Sequence, residues 1–116
     1  MLSVALLLCA CVDKTEPPRT IMGADAERGL AAMQRVGCAA CHVIPGVRWP
    51  AGLTGPSLRG FSDSPMIGGR FPNRPDVLVD WLIDAPAMSS ETAMPAMPLT
   101  QAEARDIAAY LYTLDE

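Results

Sequence analysis

The chain has 116 residues, which is enough for one domain, and half of them are hydrophobic, which argues against a disordered chain. The formal net charge is −4 at pH 7, whereas a nucleic-acid-binding domain is expected to be basic. The chain contains nine glycines and eleven prolines but only two residues each of Trp, Tyr and Phe. Because so small a domain has few large core residues, we expect a non-protein group to help fill its core.

The chain begins with an apolar segment, residues 1–12, in which every residue is apolar or small. Twelve residues are too few to cross a bilayer but fit the apolar region of a signal peptide. Cys11 follows Leu8-Cys9-Ala10 in an order that resembles a bacterial lipoprotein box. We therefore expect residues 1–10 to be a lipoprotein-type signal peptide and Cys11 to become a lipidated N-terminus. An ordinary cleaved signal with two incidental cysteines is the alternative.

A polar segment with two adjacent prolines, Pro17 and Pro18, follows the apolar one. This composition is typical of an extended linker, so residues 11–23 are predicted to form the lipidated N-terminus and a flexible tether. The remaining residues, 24–116, are predicted to form a single domain.

Three segments of this domain have the spacing of apolar residues that predicts a helix: 25–36, 76–85 and 100–114. Thr100 and Glu103 match a capping box at the start of the last helix, and Pro86 is expected to end the second. Residues 38–74 and 86–99 are predicted to be loops, and no segment shows the alternation of a strand. The prediction is an all-α domain of three to five helices with long loops that some bound group must organise.

Residues Cys38-Ala39-Ala40-Cys41-His42 form a C-x-x-C-H motif, the attachment signature of c-type haem. Two thiols on one turn can each add to a vinyl group of one porphyrin, and the histidine after them is held next to the iron. A tetrahedral zinc site would need four ligands. His42 is the only histidine, and Cys38 and Cys41 are the only cysteines after residue 11. A thioredoxin-like dithiol would need strands that the sequence does not predict.

With these features the chain resembles the class I monohaem cytochromes c, specifically the small bacterial membrane-anchored type. The resemblance covers residues 24–114. It includes Gly29 and Met33 in the first helix, the G-P-x-L-x-G loop at residues 55–60, and the last helix with Tyr110. It implies a cytochrome c fold around one covalently bound haem c, with Cys38 and Cys41 as thioethers and His42 as an axial iron ligand. It also implies that the carbonyl of Pro56 accepts a hydrogen bond from Nδ1 of His42.

The resemblance further implies that the second axial ligand is a methionine. Met94, in Thr92-Ala93-Met94-Pro95, matches the family's ligand loop, and Met97, also followed by proline, is the runner-up. Met66 and Met88 match less well. Trp81 is expected either against the haem or in the core. Arg70, Asn73 and Trp49 are candidates for hydrogen bonds to the haem propionates, with exposure to solvent as the alternative for Arg70.

The function implied is one-electron transfer by Fe³⁺/Fe²⁺ cycling in the periplasm, without a catalytic acid, base or nucleophile. The implied partners are membrane respiratory complexes, one that oxidises quinol and a terminal oxidase, with no nucleic acid and no small-molecule substrate. Lys14 is the only lysine, so the chain lacks the lysine-rich docking face of the mitochondrial-type relatives. Three alternatives stay open: a fixed subunit of an oxidase or dehydrogenase complex, a gas sensor or peroxidase with a labile methionine ligand, and a non-haem metal or dithiol module.

Overall fold

The structure, a computed structural model, describes residues 19–115. Three α-helices dominate it: α1 (Ala26–Val36), α2 (Pro75–Met88) and α3 (Gln101–Leu111). Two short strands, β1 (Met66–Ile67) and β2 (Phe71–Pro72), pair antiparallel. Single 3₁₀ turns occupy Cys38–Ala40 and Phe61–Asp63. The predicted all-α class is confirmed. The small hairpin was not predicted, because a strand of two residues is too short to show an alternating pattern in the sequence.

Helices α1 and α3 cross at Gly29. A Cβ atom built on Gly29 would lie 2.0 Å from the backbone oxygen of Asp106, so only glycine allows the two backbones to approach this closely. Met33, Ile107 and Leu111 are buried in the same core. The crossing fixes the direction in which α1 leads into the C-x-x-C-H motif.

The side chain of Asp106, on α3, ties the start of α1 to this crossing. Its carboxylate accepts hydrogen bonds from the backbone N–H of Asp25 at 2.7 Å and from Nε of Arg28 at 2.9 Å. The hydrogen bonds from Arg28 hold the pKa of Asp106 below its usual range. Asp106 is buried, and because its partners are remote in sequence, the sequence analysis did not single it out.

Helix α2 extends beyond the predicted end at Ala85 and contains Pro86. Asp84 leaves the helical conformation (φ −149°, ψ 76°) and its carboxylate accepts a hydrogen bond from the N–H of Ala87 at 3.1 Å. Asp84 thus acts as an N-cap for one further turn, and Pro86 occupies a first-turn position where no helical hydrogen bond is lost. The first, continuous part of α2 therefore ends at Asp84, next to the predicted end at Ala85, and Pro86 lies in the added turn.

Helix α3 begins as predicted and ends earlier. Thr100 and Glu103 form the reciprocal capping box, and the last helical residue is Leu111 instead of the predicted Leu114. Leu114 remains buried after the helix ends. The apolar spacing therefore continues into a turn, which is why the sequence placed the end too late.

Part of the predicted tether contacts the domain. The guanidinium of Arg19 lies 5.3 Å from the ring centre of Tyr112 and donates to the carbonyl of Ser62, and Ile21 packs against the core. The structured region therefore starts before the predicted boundary at residue 24. The predicted signal peptide and Cys11 lie outside the described residues. Within residues 19–115 no helix has both the length and the apolar character needed to cross a membrane.

Candidate haem site

The C-x-x-C-H motif lies directly after α1. The helix ends at Gly37, and residues Cys38–Ala40 form a 3₁₀ turn that is closed by hydrogen bonds from the N–H groups of Cys41 and His42 to the carbonyl of Cys38. Both cysteines are free thiols; Cys38 is half-buried and Cys41 is exposed. Burial raises the pKa of the Cys38 thiol. The backbone of one turn thus carries both thiols, and the imidazole follows directly after it.

The ring of His42 is held between a backbone carbonyl and a glycine. Its Nδ1 lies 2.7 Å from the carbonyl oxygen of Pro56. Because that oxygen can only accept, Nδ1 carries the proton and Nε2 remains as the nitrogen with a free lone pair. A Cβ atom built on Gly55 would lie 2.5 Å from Cε1 of the ring, so the imidazole rests on the Gly55 backbone. This contact was not foreseen from the sequence, although the surrounding G-P-x-L-x-G loop was.

The segment that follows His42 is fastened to the motif by its backbone. The N–H of Gly52 donates to the carbonyl of Ala39 at 2.9 Å, and the N–H of Gly55 donates to the carbonyl of Cys41 at 2.7 Å. The hydroxyl of Tyr110 donates to the carbonyl of Pro45 and so connects α3 to the same segment. The carbonyl of Pro56 is therefore positioned by a network of hydrogen bonds around the motif.

These residues fit a covalently bound haem. The set comprises two thiols on one turn for attachment and an imidazole whose tautomer leaves Nε2 for a metal, and the imidazole packs against the backbone of Gly55. No cluster of three or more His, Cys, Asp or Glu side chains that could hold a metal ion occurs within residues 19–115. A haem attached at Cys38 and Cys41 would bring its own four nitrogen ligands, so the protein has to supply only axial ones.

The two candidate methionines follow α2 in one loop. Met94 is half-buried and packs against the hydrophobic core, and its N–H donates to Oγ1 of Thr92 at 3.2 Å. Met97 is also half-buried, and its N–H donates to the carbonyl of Ile83 at 2.9 Å. The second bond fixes the loop to α2 just beyond Met94. Of the two weaker candidates, Met66 lies in β1 and Met88 ends α2.

Trp81 and Arg70 line one open cavity of about 400 Å³. Trp81 is buried and its ring lies 5.9 Å from that of Phe71. The cavity is also lined by Gly68, Gly69, Ser89, Glu91 and Thr92. Thr92 is two residues before Met94, so the structure brings Trp81, Arg70 and the start of the methionine loop to one place. The sequence pattern does not identify Ser89 and Thr92 as residues that line the cavity, because they belong to an irregular loop.

Asn73 lies elsewhere and already has protein partners. Its amide nitrogen donates to the carbonyls of Phe61 and Ser64, at 3.2 and 2.8 Å, and its oxygen accepts from the hydroxyl of Tyr112 at 3.0 Å. Burial raises the pKa of Tyr112 to about 12, so its hydroxyl keeps the proton that it donates. Both amide protons are in use. The side chain of Asn73 is thus hydrogen-bonded within the protein, and its contact with a propionate stays a prediction.

Trp49, the third predicted propionate contact, is 85% exposed. It lies in the segment between the motif and Pro56 and is not one of the residues that line the Trp81 cavity. The structure therefore brings only Arg70 and Trp81 together among the residues predicted around the haem edge.

The family model for cytochrome c matches residues 26–115, and the chain belongs to this family. Among solved structures it is similar to SoxXA from P. pantotrophus, with a TM-score of 0.60 and 24% sequence identity over 80% of this chain and 83% of the other. A comparison with curated proteins finds no match. Cytochromes c carry covalently attached haem c and transfer electrons through its iron, as the resemblance had implied.

Proposed function

We propose that this protein is a single-haem electron carrier with His42 and Met94 as axial iron ligands, exported to the periplasm and held at the membrane by a lipid on Cys11. Haem c supplies a one-electron Fe³⁺/Fe²⁺ couple. The chain's own residues attach it, orient one ligand, supply the other and limit the access of water.

The observation that carries the proposal is the 2.7 Å contact between Nδ1 of His42 and the carbonyl of Pro56. It fixes both the orientation of the ring and the tautomer, which leaves Nε2 to bind metal. This histidine directly follows two free thiols on a single turn. A protein that uses only a redox-active dithiol does not require a histidine with a fixed tautomer at this position. The arrangement thus supports haem over a bare redox pair.

Met94 is proposed as the second ligand because its side chain already packs against the core, in a loop held by Thr92 and by the bond from Met97 to Ile83. Thioether ligation favours ferrous iron and raises the reduction potential. With both axial positions filled, no open site remains for a substrate, which favours a carrier over a sensor or peroxidase.

The proposed partners are membrane respiratory complexes, a quinol-oxidising complex as donor and a terminal oxidase as acceptor. Lipidation of Cys11 would raise the effective concentration of the carrier near such complexes. The mass of the mature N-terminal peptide tests this part: a diacylglyceryl-modified Cys11 is expected, and an unmodified peptide beginning elsewhere would contradict it.

The central test is an optical spectrum of the protein, oxidised and reduced, after expression in a host that matures cytochromes c. A sharp low-spin reduced spectrum, together with a far-red methionine-to-iron band in the oxidised form, is expected for His/Met ligation. A high-spin spectrum, or binding of carbon monoxide to the reduced native protein, would favour a sensor or peroxidase. Protein without haem would overturn the proposal.

A further inference from the structure

A short segment ahead of α1, residues 19–22, is fastened to the rest of the domain, and we call it the strap. At its first residue, the guanidinium of Arg19 donates to the carbonyl of Ser62 at 2.8 Å and lies 5.3 Å from the ring centre of Tyr112. A cation over an aromatic ring is attracted to it, and a charged donor strengthens a hydrogen bond. The strap therefore begins at a specific place on the domain.

The place that receives Arg19 is built from distant parts of the chain, and we call Ser62 and Tyr112 the platform. The N–H of Ser62 donates to the carbonyl of Leu114 at 2.9 Å. The amide of Asn73 donates to the carbonyls on either side of Ser62 in the same loop and accepts from the hydroxyl of Tyr112 at 3.0 Å. Contacts outside the strap thus position both residues of the platform.

Two further contacts hold the rest of the strap. Ile21 packs against the hydrophobic core. The carbonyl of Met22 accepts a hydrogen bond from the guanidinium of Arg105, on α3, at 2.6 Å. The chain then turns at Gly23, whose φ of 76° is a conformation that favours glycine. This turn separates the strap from the start of α1.

The strap borders an open cavity of about 420 Å³. Residues of the strap line it together with residues from the starts of α2 and α3, namely Thr20, Ile21, Met22, Pro75, Asp76, Val79, Asp80, Gln101 and Arg105. The side chain of Met22 is 86% exposed. Because the strap buries little apolar area of its own, it can detach while the core of the domain stays folded.

We propose that the strap fixes the place at which the membrane tether leaves the domain, and so determines which side of the cytochrome is turned to the membrane. This inference rests on the proposed function, because it takes Cys11 as the lipid anchor. With the strap docked, the chain leaves the domain at the platform. With the strap detached, it would leave at the start of α1.

The docked strap also shortens the tether. Between the anchor and Arg19 lie eight residues, 11–18, whereas a tether that ran to the start of the domain at Ala24 would have thirteen, 11–23. A fully extended chain spans at most about 3.5 Å per residue, so eight residues keep the platform within about 28 Å of the lipid attachment point. The side of the domain that carries the platform is therefore held nearest to the membrane.

The platform and the haem-attachment segment use different side chains at the end of α3. The hydroxyl of Tyr110 donates to the carbonyl of Pro45, next to the C-x-x-C-H motif, whereas the ring of Tyr112 receives Arg19. Docking of the strap and support of the motif are thus separate contacts. We therefore expect release of the strap to leave the optical spectrum of the haem unchanged.

The first arm of the test measures whether the strap is docked in the mature haem-containing chain. Trypsin cleaves after arginine and needs an extended substrate segment, so a docked strap protects the bond between Arg19 and Thr20. Ile21→Ser with Arg105→Gln should speed cleavage of this bond by about tenfold, measured by mass spectrometry. Met22→Ser, an exposed change in the same segment, should leave the rate within about twofold.

The second arm uses the lipidated chain in vesicles that contain a lipid with a maleimide headgroup. In the mature chain of the proposed function Cys11 carries lipid, and Cys38 and Cys41 carry the haem, so an engineered cysteine is the only free thiol. Asp63→Cys places it at the exposed residue next to Ser62. Its rate of coupling to the headgroup, divided by its rate with soluble N-ethylmaleimide, reports how close this position lies to the membrane.

This ratio should fall by about threefold at Asp63→Cys when Arg19→Gln, Ile21→Ser and Arg105→Gln together release the strap. At Glu27→Cys, an exposed position in the first turn of α1, the ratio should rise, because the tether then leaves the domain there. Ratios that stay the same at both positions would overturn the proposed role of the strap.

Each variant must first show the optical spectrum of the wild type, so that a change in the ratio does not reflect loss of the haem. Wild-type protein that trypsin cleaves after Arg19 as fast as the released variant would overturn the strap alone. A mature chain without lipid on Cys11, which does not bind vesicles, would contradict the proposed function and with it this role of the strap.

Discussion

The backbone of Gly29 in α1 lies directly against the backbone carbonyl of Asp106 in α3, so that even one added carbon would lie within 2.0 Å of that oxygen. The side chain of Asp106 turns back to hold the N–H of Asp25 and the guanidinium of Arg28. One residue of α3 thus fixes both the separation of the two helices and the start of α1.

Gly29→Ala is expected to destabilise the haem-containing protein by about 3 kcal/mol, because a methyl group in a close-packed helix crossing must push the backbones apart. The free energy of unfolding, measured by urea titration with circular dichroism, checks this. Ala31→Leu adds volume on the exposed side of the same helix and should change the free energy by less than about 0.5 kcal/mol. Equal effects of the two substitutions would contradict the close crossing.

Asp106→Asn should lower the free energy of unfolding at pH 7 by about 1–2 kcal/mol, since it weakens hydrogen bonds to a charged acceptor. The exposed Arg28 contributes little of this because solvent screens it. The folded pKa of Asp106 is lowered, so its stabilising effect is full above the ordinary carboxyl pKa and is lost as the pH falls through the folded value. The difference between the wild type and the variant should therefore begin to shrink below about pH 4 and disappear only at a pH below the lowered pKa of the folded state. A difference that is independent of pH would exclude this carboxylate as the cause.

Gly55→Ala should disturb the ligation by His42, because the new methyl group would lie 2.5 Å from Cε1 of the ring. We expect less haem-loaded protein, or a shift of the oxidised spectrum toward high spin, measured by optical spectroscopy after equal expression. Ser57→Ala, an exposed change in the same loop, should leave the spectrum as it is. A wild-type spectrum in Gly55→Ala would show that the ring does not depend on this contact.

Met94→Ala should abolish the far-red band of the oxidised protein and lower the midpoint potential, whereas Met97→Ala should keep the band. The reason is that Met94 packs inward, while the N–H of Met97 anchors the loop to Ile83. Spectra and potentiometric titration of both variants decide the matter. Loss of the band only in Met97→Ala would assign the ligand to Met97 instead.

Arg70→Gln should lower the midpoint potential, because removal of a positive charge from the Trp81 cavity favours the ferric form. A change of roughly 1 kcal/mol, or about 40 mV for one electron, is expected from a partly screened charge. Arg74→Gln is the control, since Arg74 pairs with Asp76 on the surface at 2.7 Å. If both variants shift the potential equally, the effect comes from net charge and not from the cavity.

Short-range signals were readable from the sequence because their partners lie within a few residues. The capping box of Thr100 and Glu103 depends on local hydrogen bonds. The C-x-x-C-H motif is local in the same sense, since one turn places its thiols and imidazole together. These features sufficed to predict an all-α domain and the haem attachment site.

Contacts between distant segments were decided only by the tertiary structure. Asn73 is one case: its side chain is hydrogen-bonded to the carbonyls of Phe61 and Ser64 and to the hydroxyl of Tyr112, which lies 39 residues away in the chain, and no spacing rule shows this. Asp84 is another, because its carboxylate caps a new turn and so allows α2 to continue through Pro86. The sequence by itself predicted which residues attach and bind haem, since that chemistry belongs to the side chains. The tertiary structure decided which of the other polar and apolar residues stand near them, because loop positions are set by hydrogen bonds and packing from across the chain.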